Sequence, residues 1–167
     1  SDGRAVSSPV PIGGIGTDGA VSLYHFRIQE VEAPDGYLLD PTVHDFQFNI
    51  KTDQYQTLTY QFEAADSPNR VIISKKQLTT KEELPGASLE VRRVTEMVDK
   101  DGTVIRIDGD VIESWISTEV PHELECLTEG MYVLIETRAP EGYIEAEKVY
   151  FTISGNMTVD DIPMVEM

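Results

Sequence analysis

The sequence has little with which to form a disulfide, hold a metal ion or bind a polyanion. A single cysteine, Cys126, makes an internal disulfide impossible and excludes a metal cluster of the cysteine type. It follows Leu124 at alternate spacing in HELECLTEG, which predicts a small core side chain rather than a reactive thiol. His25, His44 and His122 are scattered without ligand spacing, so neither a metal site nor a cofactor is expected. Positive charge is scarce: 13 Lys and Arg against 30 Asp and Glu leave a net charge of −17. Such a surface repels phosphate backbones, and nucleic-acid binding is not expected. No apolar run reaches the length of a membrane span, and no signal peptide opens the chain. The first residues, SDGRAVSSPVPIGG, read as an irregular lead-in. No segment carries a long helical stripe, and TKEEL is at most one helical turn.

What is present is alternation. VIISKKQL, ASLEVRRV, TVIRIDGDVIESWIS, MYVLIE, KVYFTIS, HDFQFNI and QTLTYQF alternate or run in β-branched and aromatic residues. Turn signals lie between them: LPGA, DKDG, APDG, APEG and SGN. With 167 residues, 40% of them hydrophobic, the chain can bury a core in one large domain or two small ones. Short strands at regular spacing predict an all-β protein built of β-sandwiches. DKDGTVIRIDGD lacks the spacing and the closing glutamate of a calcium loop and predicts a hairpin turn. Trp115 is expected in or beside the core.

One phrase occurs twice, as EVEAPDGYLLD from Glu30 and as ETRAPEGYIEA from Glu136. Each Glu closes a strand-like run, and the Pro and Gly that follow predict a turn, with the Tyr anchoring the next segment. The repeat sets the boundaries. Residues 69–167 make a nearly complete unit, residues 1–68 only the latter part of one, and ADSPNR is the junction. Carrying the repeat offset back from Lys75 lands before Ser1, so the first unit lacks the strand that would hold such a lysine. GRAVSSPVPI, an upstream segment or another molecule is expected to fill that gap. Lys51, the only lysine before Asp66, sits beside a turn and is not expected to react.

Together VIISKKQLTTKEELPGASLEV, SWISTEVPHELECLTEGMYVLIETRAPEGY and KVYFTIS resemble the Cna protein B-type domain, the prealbumin-like repeat of Gram-positive surface adhesins and pilins. The resemblance implies tandem prealbumin- or immunoglobulin-like β-sandwiches, the first incomplete. It also implies a self-formed amide bond between a Lys of the first strand and an Asn or Asp of the last, assisted by the Glu before APxGY. That Lys maps to Lys75 and that Glu to Glu136, with Glu30 as the counterpart in the first unit. The implied acceptors are Asp66, in phase with Phe62 and Ala64, and Glu166, in phase with Ile162 and Met164, or else a residue past Met167. Glu166 departs from the Asn or Asp of the family.

The chemistry accounts for these residue types. An amine attacks a carbonyl carbon only when neutral, and a carboxyl is electrophilic only when neutral; burial favours both neutral forms. A protonated Glu can hydrogen-bond the acceptor carbonyl and pass protons to the leaving group, while fixed strands supply a high effective concentration. Val71, Ile73 and Lys75 share one face, and Ile72, Ser74 and Lys76 the other; the resemblance selects Lys75.

The expected function is therefore a structural and adhesive module of a cell-wall-anchored extracellular protein or pilin, not an enzyme. Its expected partners are neighbouring domains of the same protein, with host proteins or glycans as further ones and no membrane insertion by this fragment. The alternative is a carbohydrate- or host-protein-binding module on the same sandwich without a cross-link.

Overall fold

The computed structural model describes residues 5–48 and 58–167; Lys51 lies outside the described residues. The chain divides into two compact units, residues 1–31 with 41–65, and residues 32–40 with 66–167.

Among the described residues the first unit has two small antiparallel pairs. β1 (Gly13–Ile15) pairs with β2 (Val21–Leu23), and β3 (Phe26–Gln29) with β4 (Val43–Phe46). Aromatic rings cover the second pair: Phe26 stacks on Phe46 at 5.3 Å, and Phe46 on Tyr60 at 3.9 Å. Leu58–Phe62 of the strand expected in QTLTYQF joins no ladder. Its alternation is used differently, placing Tyr60 against Phe46 and Phe62 against His44. Residues 5–12 form no strand.

The second unit is the β-sandwich. One sheet has the order β10-β9-β6-β7, from Val149–Ile153, Gly130–Arg138, Ser88–Val98 and Val104–Ile116 respectively. The other has the order β11-β5-β8, from Met164–Glu166, Arg70–Ser74 and His122–Glu125. Every pairing is antiparallel except that of β11 with β5. The inward residues of both sheets form one core: Val71 and Ile73, Leu89 and Val91, Leu124, Tyr132 and Leu134, Ile153 and Val165, with Trp115 packed at its margin. DKDG closes the β6–β7 hairpin, where the Asp99 N–H donates to the Thr103 carbonyl. A single 3-10 turn, Val159–Asp161, precedes β11. Among the described residues no helix is long and apolar enough to cross a membrane.

The segment 32–40 is built into this unit. Leu38 belongs to its core, the Leu39 N–H donates to the Met157 carbonyl, and the Leu38 N–H to the Ser67 carbonyl. Asn69 ties the segment down. Its backbone N–H donates to the Gly36 carbonyl, and its buried side chain donates to the Leu127 carbonyl at 2.7 Å and accepts from the Leu127 N–H at 2.9 Å. A buried amide with every group partnered is a strong local constraint.

Cys126 corrects the expectation of a core thiol, because it is exposed. β8 ends at Glu125, and Cys126 takes a left-handed φ of 57° in the turn that follows. The alternation that buries Leu124 therefore stops one residue short of it.

Candidate functional site

Lys75 directly follows β5 in the three-stranded sheet, in phase with Val71 and Ile73, and all three are buried. Glu136 lies in β9 of the other sheet, opposite Leu89 of β6. Lys75 Nζ reaches across the sandwich to within 3.1 Å of Glu136 Oε1, with the side chains 7% and 0% exposed. The apolar run that places Ile73 inward thus carries the next inward residue, a lysine, to a carboxylate at the end of an equally apolar strand.

The two carboxylate oxygens of Glu136 have different surroundings. Oε2 accepts a hydrogen bond from the Ala146 N–H at 2.6 Å. Oε1 is buried and accepts no hydrogen bond, although Lys75 Nζ stands beside it. The approach has the distance of an ion pair without the direction of a hydrogen bond. The loop after β9 accordingly turns the carboxyl so that its unsatisfied oxygen faces the amine.

That loop is the second copy of the repeated phrase. The Tyr143 N–H donates to the Pro140 carbonyl, and Gly142 has a φ of +86°. This is the four-residue turn whose third position calls for glycine. The turn sends the chain back past the end of β9, where Ala146 meets Glu136. Ala146 contributes only a backbone group, so no side-chain pattern in the sequence could have marked it.

The remaining expected residues lie elsewhere. Glu166 is exposed on β11 and accepts a hydrogen bond from Lys76 Nζ, which holds its carboxyl below the usual range, with charge attraction from Lys76 adding to the effect. It pairs in register with Ser74, not Lys75. The buried residue of β11 is Val165, so the inward phase runs through Val165 rather than Met164. Asp66 is exposed beside the segment that leads into β5 and clusters with the second unit. Glu30 is half-buried just after β3 and clusters with the first. The structure thus brings together Lys75 and Glu136, and separates Glu166 from them.

A seven-stranded, two-sheet sandwich whose parallel first and last strands flank a buried Lys–Glu pair defines a prealbumin-like all-β domain. The chain belongs to the family described as the SpaA prealbumin-like fold domain, whose model matches residues 69–164. Among solved structures it is similar to the group B streptococcus pilus 2b backbone protein, with 21% identity and a TM-score of 0.41, covering 75% of this chain and 47% of that one. It is also similar to a streptococcal ancillary pilin, with 22% identity and a TM-score of 0.39, covering 85% and 40%. A third is the shaft pilin spaA from Lactobacillus rhamnosus GG, with 17% identity and a TM-score of 0.39, covering 94% and 69%. The chain therefore spans less than half of the two streptococcal proteins. No curated protein matches it.

Proposed function

We propose that this chain is a structural module of a cell-wall-anchored bacterial surface protein or pilin. In this role Lys75 and Glu136 are the nucleophilic and proton-carrying parts of a site for an intramolecular amide bond. The observation that carries the proposal is the buried Lys75–Glu136 pair with its unsatisfied Oε1. Burying an ion pair seldom stabilises a fold relative to apolar residues of the same volume. A buried titratable pair whose Oε1 accepts no hydrogen bond therefore points to chemistry.

The chemistry is a single self-maturation step. A proton moved from Nζ to Oε1 leaves a neutral amine beside a neutral acid. The amine attacks the side-chain carbonyl of an Asn or Asp, and Glu136 delivers protons to the departing ammonia or water. The resulting amide ties the first strand to the last. By analogy with a disulfide closing a long loop it stabilises by a few kcal/mol, about 2–4, and it needs no oxidising compartment.

In the same proposal residues 69–167 are one B-type domain and residues 1–68 are the latter part of the preceding one. The nearest partners are neighbouring domains of the same protein, which turns over no substrate. The test is cellular. Antibodies to this chain should detect it in the wall fraction, in species released by wall-degrading enzymes that stay intact in hot detergent. Recovery only as a free soluble chain would sink the proposal.

A further inference from the structure

The two copies of the repeated phrase carry the same groups, and only the first uses them. The first copy is seated on the base of the sandwich, beside Ser67, Asn69, Cys126, Asn156 and Met157. The Asn69 N–H donates to the Gly36 carbonyl at 2.9 Å. The Leu38 N–H donates to the Ser67 carbonyl and the Leu39 N–H to the Met157 carbonyl, each at 2.8 Å. The Ala33 N–H donates to Asn156 Oδ1 at 3.1 Å. Leu38 completes the seat by joining the core that includes Leu127 and Met157. In the second copy Gly142, Ile144 and Glu145 stand where Gly36, Leu38 and Leu39 do. Among the described residues the Gly142 carbonyl and the Ile144 and Glu145 N–H groups have no hydrogen-bond partner. Ile144 is 92% exposed. Either feature alone is ordinary surface. Together they reproduce, position for position, the contact set with which the first copy is seated.

We propose, resting on the reading of this chain as a module among neighbouring modules, that residues 139–145 are a docking strap for the base of an adjoining sandwich domain. Ile144 enters the core of that domain as Leu38 enters this one. The Gly142 carbonyl and the Ile144 and Glu145 N–H groups supply the backbone bonds, the mode by which an extended segment is held by main chain and placed by one side chain. Glu145 takes the position of Leu39, which is only half-buried and leaves a long polar side chain access to solvent. The bond from the Ala146 N–H to Glu136 is made one residue beyond the strap, so docking leaves it intact. The partner is a domain tethered in the same protein. A strap of seven residues is too small to hold a free molecule, whereas a tether supplies an effective concentration in the millimolar range. Free copies, each with a net charge of −17, also repel one another.

The experiment appends a second copy of residues 66–167 directly after Met167 of the full chain. That copy has no residues 32–40 of its own, so its base is open to Ile144. Trp115→Phe within the first 167 residues leaves the appended copy's tryptophan as the only one. Its fluorescence then reports the melting of that copy alone. The appended copy should melt cooperatively, and Ile144→Asp should lower its melting temperature by about 5 °C or more. The same substitution should leave the melt of the 167-residue chain unchanged. An appended copy that is unfolded, or that melts alike with and without Ile144→Asp, overturns the proposal. A second measurement needs no appended copy. Asp35→Glu combined with Leu38→Ile and Leu39→Glu writes the second phrase into the seat of the first. That chain should melt well above Leu38→Asp; a melt no higher means that the second phrase does not fit a base of this kind, and the proposal falls. Neither measurement reads wall attachment, so a failed strap leaves the structural-module reading to its own test.

Discussion

The Ala-Pro-acid-Gly-Tyr phrase builds the same turn at residues 33–37 and 139–143, yet the two copies have different work. In each the Tyr N–H donates to the Pro carbonyl, at 3.0 Å for Tyr37 and 3.1 Å for Tyr143, and the glycine φ is +84° or +86°. Beyond the turn they part. Gly36 is buried, and a Cβ there would meet the Cys126 backbone at 3.1 Å; a Cβ on Gly142 would meet nothing. Two residues past the glycine, Leu38 is 7% exposed and Ile144 is 92% exposed. The first copy is a strap packed on the core of the second unit. The second stays in solvent and returns one backbone N–H to Glu136. Local sequence fixes a turn, and the flanking residues decide whether the turn packs or positions.

The contrast can be broken most severely at the glutamates that open the two phrases. Glu136→Ala leaves Lys75 buried without its partner and should destabilise the chain by about 3–5 kcal/mol. Replacing both Lys75 and Glu136 with apolar residues of similar volume should recover most of that loss. Glu30, only half-buried, should cost far less on the same change; chemical denaturation measures both. Next come the residues after the tyrosines. Leu38→Ala should cost about 2–4 kcal/mol by emptying a core position, whereas Ile144→Ala should stay within about 0.5 kcal/mol. Equal losses would mean that residues 32–40 are not part of the core.

A smaller effect separates the glycines. Each Gly→Ala forces a side chain into left-handed backbone, at about 1–2 kcal/mol. Gly36→Ala should exceed Gly142→Ala by roughly a further 1 kcal/mol, because a new Cβ must push the Cys126 backbone aside. Parallel thermal melts of the two variants read the difference. The smallest effect belongs to the outward pair, Lys76 with Glu166. Hydrogen bonding holds the Glu166 carboxyl below its usual range. Its contribution is therefore present above the ordinary carboxylate range, about pH 4, and is lost as the pH falls through the lower folded value. Lys76→Met should make the acid limb of stability slightly shallower, and added salt should mask the change.

Much of the sandwich was legible because period-two alternation is a direct consequence of strand geometry. It placed Val71, Ile73 and Lys75 on one face, and it made DKDG a hairpin turn. Alternation alone could not choose between Lys75 and Lys76, since apolar residues occupy both faces of β5. It also misled at strand ends. Cys126 leaves the ladder through a left-handed residue, and the phase drawn through Ile162, Met164 and Glu166 is the outward one. Leu38, just past the first copy of the phrase, packs in the core with residues such as Leu124 and Met157. A contact made across that much sequence leaves no local pattern.

The parallel pairing of β5 and β11 has a mechanical consequence. The start of the first strand and the end of the last lie at opposite ends of their shared ladder. Tension applied at those two points slides one strand along the other instead of peeling them apart. The bonds from Ile72 to Pro163, from Met167 to Ser74 and from Lys76 to Met167 then bear the load together. Antiparallel end strands would place both points at the same end and open like a zipper, one bond at a time. Lys75 sits on the sliding seam, where a covalent tie to the neighbouring strand would carry the pull past the hydrogen bonds altogether.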